Sequence, residues 1–203
     1  MLVEALLSAI ANVLLLAGIP FLVYWAWHRW RHGRRLPEVA RRAGLQVGET
    51  RYIAYCAILA AVSVAALVLF PPPLEPMTRE ASAQHAFVGL GLTGTSVTMA
   101  LLYGIVKTGF AEEFLFRGLI AGSLGRRLPL LWANLLQALV FLLPHLLVLV
   151  AMPELWPILP IVFVASLVLG WARIRSGLIL GPWLAHAVGN VATCLSVAVR
   201  TAG

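Results

Sequence analysis

Of 203 residues, 61% are hydrophobic and only 11% are charged, and the mean hydropathy is +0.92. A soluble domain carries charge on roughly a quarter of its residues; too little polar surface exists here to coat a globule in water, so lipid is the expected solvent. The formal charge of +7 does not point to nucleic acid, because seven of the fifteen Lys and Arg residues fall in residues 28–51, between two apolar segments. That pattern reads as a cytoplasmic loop held near anionic headgroups.

Residues 5–27, 52–70, 86–106, 128–150 and 177–199 are apolar runs of about 20 residues, the length a helix needs to cross the hydrocarbon core. The first run ends in Trp25, Trp27 and Trp30 beside Arg29 and Arg31, a mark of the membrane–water interface. It lacks a basic n-region and a small-residue cleavage site, so it is expected to stay as a helix. The basic stretch that follows carries Pro37 and Gly44 and is expected to form an interfacial helix with turns. The second run, 52–70, stops at Pro71–Pro73, which cannot continue a helix. The polar stretch 74–85 then returns on the opposite side.

Residues 86–106 are rich in Gly, Thr and Ser, which suits close helix packing. Residues 108–125 form a further segment, followed by 128–150, 158–172 and 177–199. The expectation is an all-α fold, a polytopic bundle of about six to eight transmembrane or membrane-embedded helices. It forms a single integral membrane domain over 1–203, with N-terminal helices in 1–103 followed by the segments of about 104–195. If every segment crossed, Arg126, Arg127, Arg173 and Arg175 would lie opposite the basic first loop. One helix within 86–125 that fails to cross brings all four to the same side, as the positive-inside rule favours. Cys56 and Cys194 both lie in apolar runs and are expected to pack as small hydrophobes without a disulfide.

Charged groups inside a membrane segment are costly and by default mark function. All eight acidic residues are Glu, and six of them lie at termini or in loops. Glu112 and Glu113 alone sit among apolar residues. Glu113 and Arg117 are i and i+4 on one helical face, in the favoured order for an ion pair. Glu112 is rotated about 100° from Glu113 and is free to face something else. A carboxylate in a low-dielectric cleft suits a general base that activates water. The competing reading is a structural network of all three groups tying helices together; for Glu113 and Arg117 it is the preferred one.

His28, His32 and His85 lie in polar stretches, where solvated roles suffice. His145 and His186 are embedded in apolar segments. His145 follows Pro144, whose ring removes a backbone hydrogen bond. His186 and Asn190 are i and i+4, so an imidazole and a carboxamide can converge on a developing oxyanion. The chemistry that follows is hydrolysis: Glu112, assisted by His145, takes a proton from water, and His186 with Asn190 holds the oxyanion. Glu113 and Arg117 support the helix that carries the base.

The runs Glu112-Glu113-Phe114-Leu115-Phe116-Arg117, Phe141-Leu142-Leu143-Pro144-His145 and His186-Ala187-Val188-Gly189-Asn190 resemble the motifs EExxxR, FxxxH and HxxxN of the CAAX protease and bacteriocin-processing family. They occur in that order on separate hydrophobic segments. The resemblance covers about residues 104–195. It implies an all-α membrane fold and a glutamic endopeptidase in which the first Glu and first His activate water. It also implies a membrane protein or lipidated peptide as substrate and the lipid bilayer as surroundings, and the charge pattern argues for no nucleic acid as partner. The Arg-, Ala- and Leu-rich composition and compact length suggest a multi-pass protein of a bacterial inner membrane. A processing or C-terminal sorting-signal role is the expectation, with a non-catalytic bacteriocin-immunity or binding member as the alternative.

Other protease classes fit less well. The absence of Asp excludes an aspartyl pair, and Ser176-Gly177 lacks the setting of a rhomboid-type nucleophile. No cofactor is expected; zinc held by Glu112, His145 and His186 is the alternative, although there is no H-E-x-x-H helix. A proton-relaying transporter would need polar residues at several depths, whereas here they form one cluster.

Overall fold

Lipid has no polar groups to satisfy a backbone, so a chain this apolar must close its hydrogen bonds within each segment. The computed structural model, which describes all 203 residues, meets that demand with eight helices and no strand. α1 (Leu2–His32) is followed by the short α2 (Leu36–Arg42) in the basic loop, and then by α3 (Arg51–Leu69). α4 (Leu74–Thr78) lies beyond the triple proline. α5 (94–124), α6 (Leu130–Ala151), α7 (Ile158–Ser176) and α8 (Leu180–Arg200) complete the chain. Five of these, α1, α3, α6, α7 and α8, are long and apolar enough to cross a membrane.

The expectation of separate segments over 86–106 and 108–125 is corrected. Residues 85–93 form a 3₁₀ turn (His85–Phe87) and a loop, and the helix begins only at Gly94, where Thr93 and Ser96 make a reciprocal capping box. From there the chain stays helical to Leu124. The interior Gly and Thr residues do not break it; they coincide with wide π-type turns over Leu102–Phe110 and Phe114–Ala121. The Thr108 hydroxyl donates to the Tyr103 carbonyl five residues back, at 2.9 Å. Two expected segments are one helix.

That merger settles the placement of the basic residues. With six long helices instead of seven, the turns after α1, α5 and α7 share one end of the bundle. Contacts across them agree: Arg126 and Arg173 both donate to the Arg42 carbonyl, at 3.0 and 2.9 Å, and Gln46 donates to the Gly177 carbonyl at 3.1 Å. Gly177 adopts a positive φ of 74°, which lets the chain reverse directly after α7. At the other end Arg79 pairs with both Glu75 and Glu154, and Arg200 donates to the Pro72 carbonyl at 2.9 Å.

The bundle is apolar outside and buries several polar groups within a mainly apolar interior. Among its largest fully buried side chains are Arg117, Gln137, Glu113, Ser96 and Ser166, whereas Val3, Leu14, Val68, Leu147 and Val150 point outward. α5 is central, packed against α1, α6, α7 and α8. Gly104 sets its distance from α8: a Cβ there would lie 2.6 Å from Val191 Cγ2 and 2.9 Å from the Ala187 carbonyl, so only glycine permits the approach. α6 and α7 are clamped by Gln137, whose amide donates to the Ser166 carbonyl at 2.9 Å, and by Asn134 on the Leu167 carbonyl. Cys56 and Cys194 are buried free thiols.

Candidate active site

Between its two wide stretches α5 has one short ordinary helical turn, Ala111–Glu113. π-type turns are rare and gather at functional sites; here they flank the two adjacent carboxylates. Glu113 is completely buried, and so is Arg117, whose Nη1 lies 3.0 Å from Glu113 Oε1. The expected i,i+4 pair is present. The Arg117 guanidinium also lies over the Phe141 ring, 3.9 Å from its centroid, so the F of FxxxH forms a face of the cation's site.

Glu113 does more than pair with Arg117. Its Oε1 is also 2.9 Å from His186 Nδ1. The other nitrogen of that imidazole faces Glu112: His186 Nε2 and Glu112 Oε2 are 4.0 Å apart, beyond hydrogen-bond distance. One ring therefore stands between the two carboxylates, bound to the buried one and facing the other. Glu112 keeps 24% of its side chain accessible.

His145 lies beside this network. Its Nδ1 contacts the Phe141 carbonyl at 3.0 Å. A carbonyl only accepts, so Nδ1 carries the proton and the neutral ring presents Nε2 as a lone pair. His145 and His186 lie against the same Phe141 ring, with centroids 4.9 and 6.1 Å from it. Pro144 does not open a gap, since α6 runs unbroken through it. His145 makes no hydrogen bond to Glu112; the imidazole nearest that carboxylate is His186.

Asn190 shares the His186 face of α8, as its i+4 spacing predicts. Its carboxamide donates to Thr108 Oγ1 at 2.7 Å, which leaves the second N–H free. Three of the six residues singled out in the sequence, Arg117, Glu113 and His186, thus form one connected array; Glu112 faces it across 4.0 Å, His145 adjoins it through Phe141, and Asn190 stands one turn from His186, tied to Thr108.

Residues 93–192 match the family model described as type II CAAX prenyl endopeptidase Rce1-like. These residues belong to that family. The match to the Rce1-like family begins at the α5 cap and includes all seven motif residues. No curated protein and no solved structure matches the chain. Membership in a family of CAAX-type intramembrane endopeptidases agrees with the five spans, and the protein is a multi-pass membrane protein.

Two further residues of the Rce1-like segment were not found from the sequence. Thr108, which fixes Asn190, carries no charge and gave no signal. Lys107 is the chain's only lysine, half-buried within α5, with its ammonium 5.6 Å from the Tyr103 ring centroid. A lone cation in an apolar run was a legible signal. No three His, Cys or Glu side chains converge closely enough to hold a metal ion.

Proposed function

We propose that the protein hydrolyses a peptide bond of a membrane-associated protein substrate through water activated at Glu112. The observation that carries this reading is the division of labour between the adjacent carboxylates. Glu113, with no exposed surface, has Arg117 and His186 within 3.0 Å. Glu112 is partly accessible and has no partner within hydrogen-bond distance. A carboxylate held by an ion pair and a hydrogen bond is a poor proton acceptor; one with free lone pairs in a low-dielectric cleft is a good one.

The steps follow from that asymmetry. Glu112 takes a proton from water as the oxygen attacks the scissile carbonyl carbon, and the carbonyl π electrons move onto its oxygen. The His145 Nε2 lone pair accepts the water's second hydrogen in a hydrogen bond and orients the attack. His186 Nε2–H and the free N–H of Asn190 donate to the oxyanion. As the intermediate collapses, the C–N bond breaks and the leaving amine takes the proton from Glu112. With His186 as an imidazolium, two carboxylates and two cations sum to zero charge, the arrangement least costly in lipid.

The substrate read from this chemistry is a membrane protein or lipidated peptide cut near its membrane anchor. The composition and compact size support a bacterial inner-membrane enzyme that processes proteins or removes C-terminal sorting signals. The mechanism uses no metal, and stoichiometric zinc in purified, active protein would overturn it. The direct test compares wild type with Glu112→Gln on candidate membrane substrates in the same liposomes. Loss of the general base is expected to slow cleavage by about 10²–10⁴-fold. A Gln variant that cuts as fast as wild type would refute the role of Glu112.

A further inference from the structure

The basic end of the bundle contains a cavity of about 450 Å³, open to the surface and away from the carboxylates. Five arginines line it: Arg34, Arg41 and Arg42 from the first loop, Arg126 after α5, and Arg173 from α7. One acid, Glu38, accompanies them. A smaller cleft of about 260 Å³ shares Arg34, Arg42 and Arg126 with it and adds Arg127, His28 and His32. The volume is in the range of small-ligand sites.

None of the five arginines has a carboxylate partner. The chain's ion pairs involve Met1, Arg51, Arg79, Arg117 and His186 instead. Arg173 is only 4% exposed, yet its Nε and Nη2 donate to the Arg117 and Arg42 carbonyls, at 3.0 and 2.9 Å. Arg126 is held by the Arg42 carbonyl and by the Tyr24 hydroxyl, at 3.0 and 2.6 Å. Neutral acceptors thus position two guanidinium groups without neutralising them. Burial, and then the positive neighbours Arg42, Arg127 and Arg34, lower the Arg126 pKa from the ordinary arginine value, with Tyr24 opposing. Positive charge gathered in a partly desolvated cleft calls for an anion.

We propose that this cavity binds a phosphate ester through Arg34, Arg41, Arg42, Arg126 and Arg173. The guanidinium fork matches phosphate oxygens in paired hydrogen bonds, and five of them from three parts of the chain converge there. The cavity lies at the basic membrane interface, where anionic phospholipid headgroups supply such a group and basic pockets between helices bind them. A soluble phosphate ester has the same chemistry. The Arg173 Nε bond to the Arg117 carbonyl places the ligand one side chain from the α5 backbone. The site is independent of the catalytic reading.

Thermal unfolding in nanodiscs tests the proposal with three proteins: wild type, Arg34→Gln/Arg41→Gln, and Arg29→Gln/Arg31→Gln. The last loses the same charge from the same end of the bundle but outside the cavity lining. Replacing a third of the phosphatidylcholine with phosphatidylglycerol is expected to raise the wild-type and Arg29/Arg31 midpoints by about 5 °C or more. The Arg34/Arg41 variant is expected to lose most of that gain. Equal gains in all three proteins would assign the effect to diffuse surface charge and overturn the site, as would no gain in wild type. Glycerol 1-phosphate added to phosphatidylcholine discs separates the sources: a matching gain makes soluble esters ligands too, and none assigns the site to the lipid headgroup. If the double variant does not fold, Arg41→Gln is read against Arg31→Gln in the same way.

Discussion

Glu112 and Glu113 are neighbours in sequence with opposite surroundings, and their substitution should separate stability from chemistry. Glu113 is the acid against which Arg117 is buried, and breaking a buried pair by removing one partner costs about 3–5 kcal/mol. Glu113→Ala is therefore expected to lower the melting midpoint sharply, whereas Glu112→Gln leaves it near wild type while slowing cleavage by about 10²–10⁴-fold. The double variant Glu113→Leu/Arg117→Met removes both charges and should recover most of the lost stability yet stay inactive, because His186 loses its acceptor. Recovery of activity in that variant would sink the orienting role of Glu113. The i,i+4 spacing made the Glu113–Arg117 pair legible in the sequence. The bond from Glu113 to His186 was not legible, because it depends on how two distant helices face each other. Thr108 was hidden for the same reason: a hydroxyl in an apolar run has no cost that demands explanation. Its removal in Thr108→Val is expected to lower kcat about tenfold, at the lower end for loss of an orienting partner. Asn190→Ala should lower kcat by about 10²–10³, as for loss of an oxyanion donor. Equal losses in a kinetic comparison would mean that Thr108 does more than position Asn190.

At the scale of elements, the sequence showed the apolar runs well and the join between two of them badly. Residues 86–125 divide on paper into 86–106 and 108–125, and the position left between them is Lys107, with Gly104 and Gly109 on either side. In the fold those same residues lie in wide turns of a continuous helix, where small side chains permit contact with α8. A Cβ at position 104 would press on Val191 Cγ2 and on the Ala187 carbonyl. Gly104→Ala is thus expected to cost about 1–3 kcal/mol by overpacking, and to slow cleavage by moving the carboxylates away from His186. Adding Val191→Ala removes the side-chain clash only, so stability should return in part. Full restoration would show that the backbone of α8 does not limit the approach of the two helices.

For the whole molecule, the number of crossings decides which surface carries the charge. Were 86–106 and 108–125 separate full spans, Arg126, Arg127, Arg173 and Arg175 would face away from the basic first loop. With α5 as one helix, the turns after α1, α5 and α7 meet, and Arg126 and Arg173 reach the same Arg42 carbonyl. The positive-inside bias suggested this arrangement before the helix count could explain it, since charge asymmetry is a property of loops and survives errors in helix boundaries. Single cysteines in a background lacking Cys56 and Cys194 provide the check. Arg31, Arg127 and Arg175 are exposed at the basic end, and Glu80 is exposed at the other. In sealed, oriented vesicles, a membrane-impermeant maleimide is expected to label positions 31, 127 and 175 from one side and position 80 from the other. Labelling of position 127 together with position 80, opposite position 31, would restore the extra crossing. It would also pull Arg126 away from Arg42, and with it the arginine cavity, because no single-membrane topology can then bring the two together.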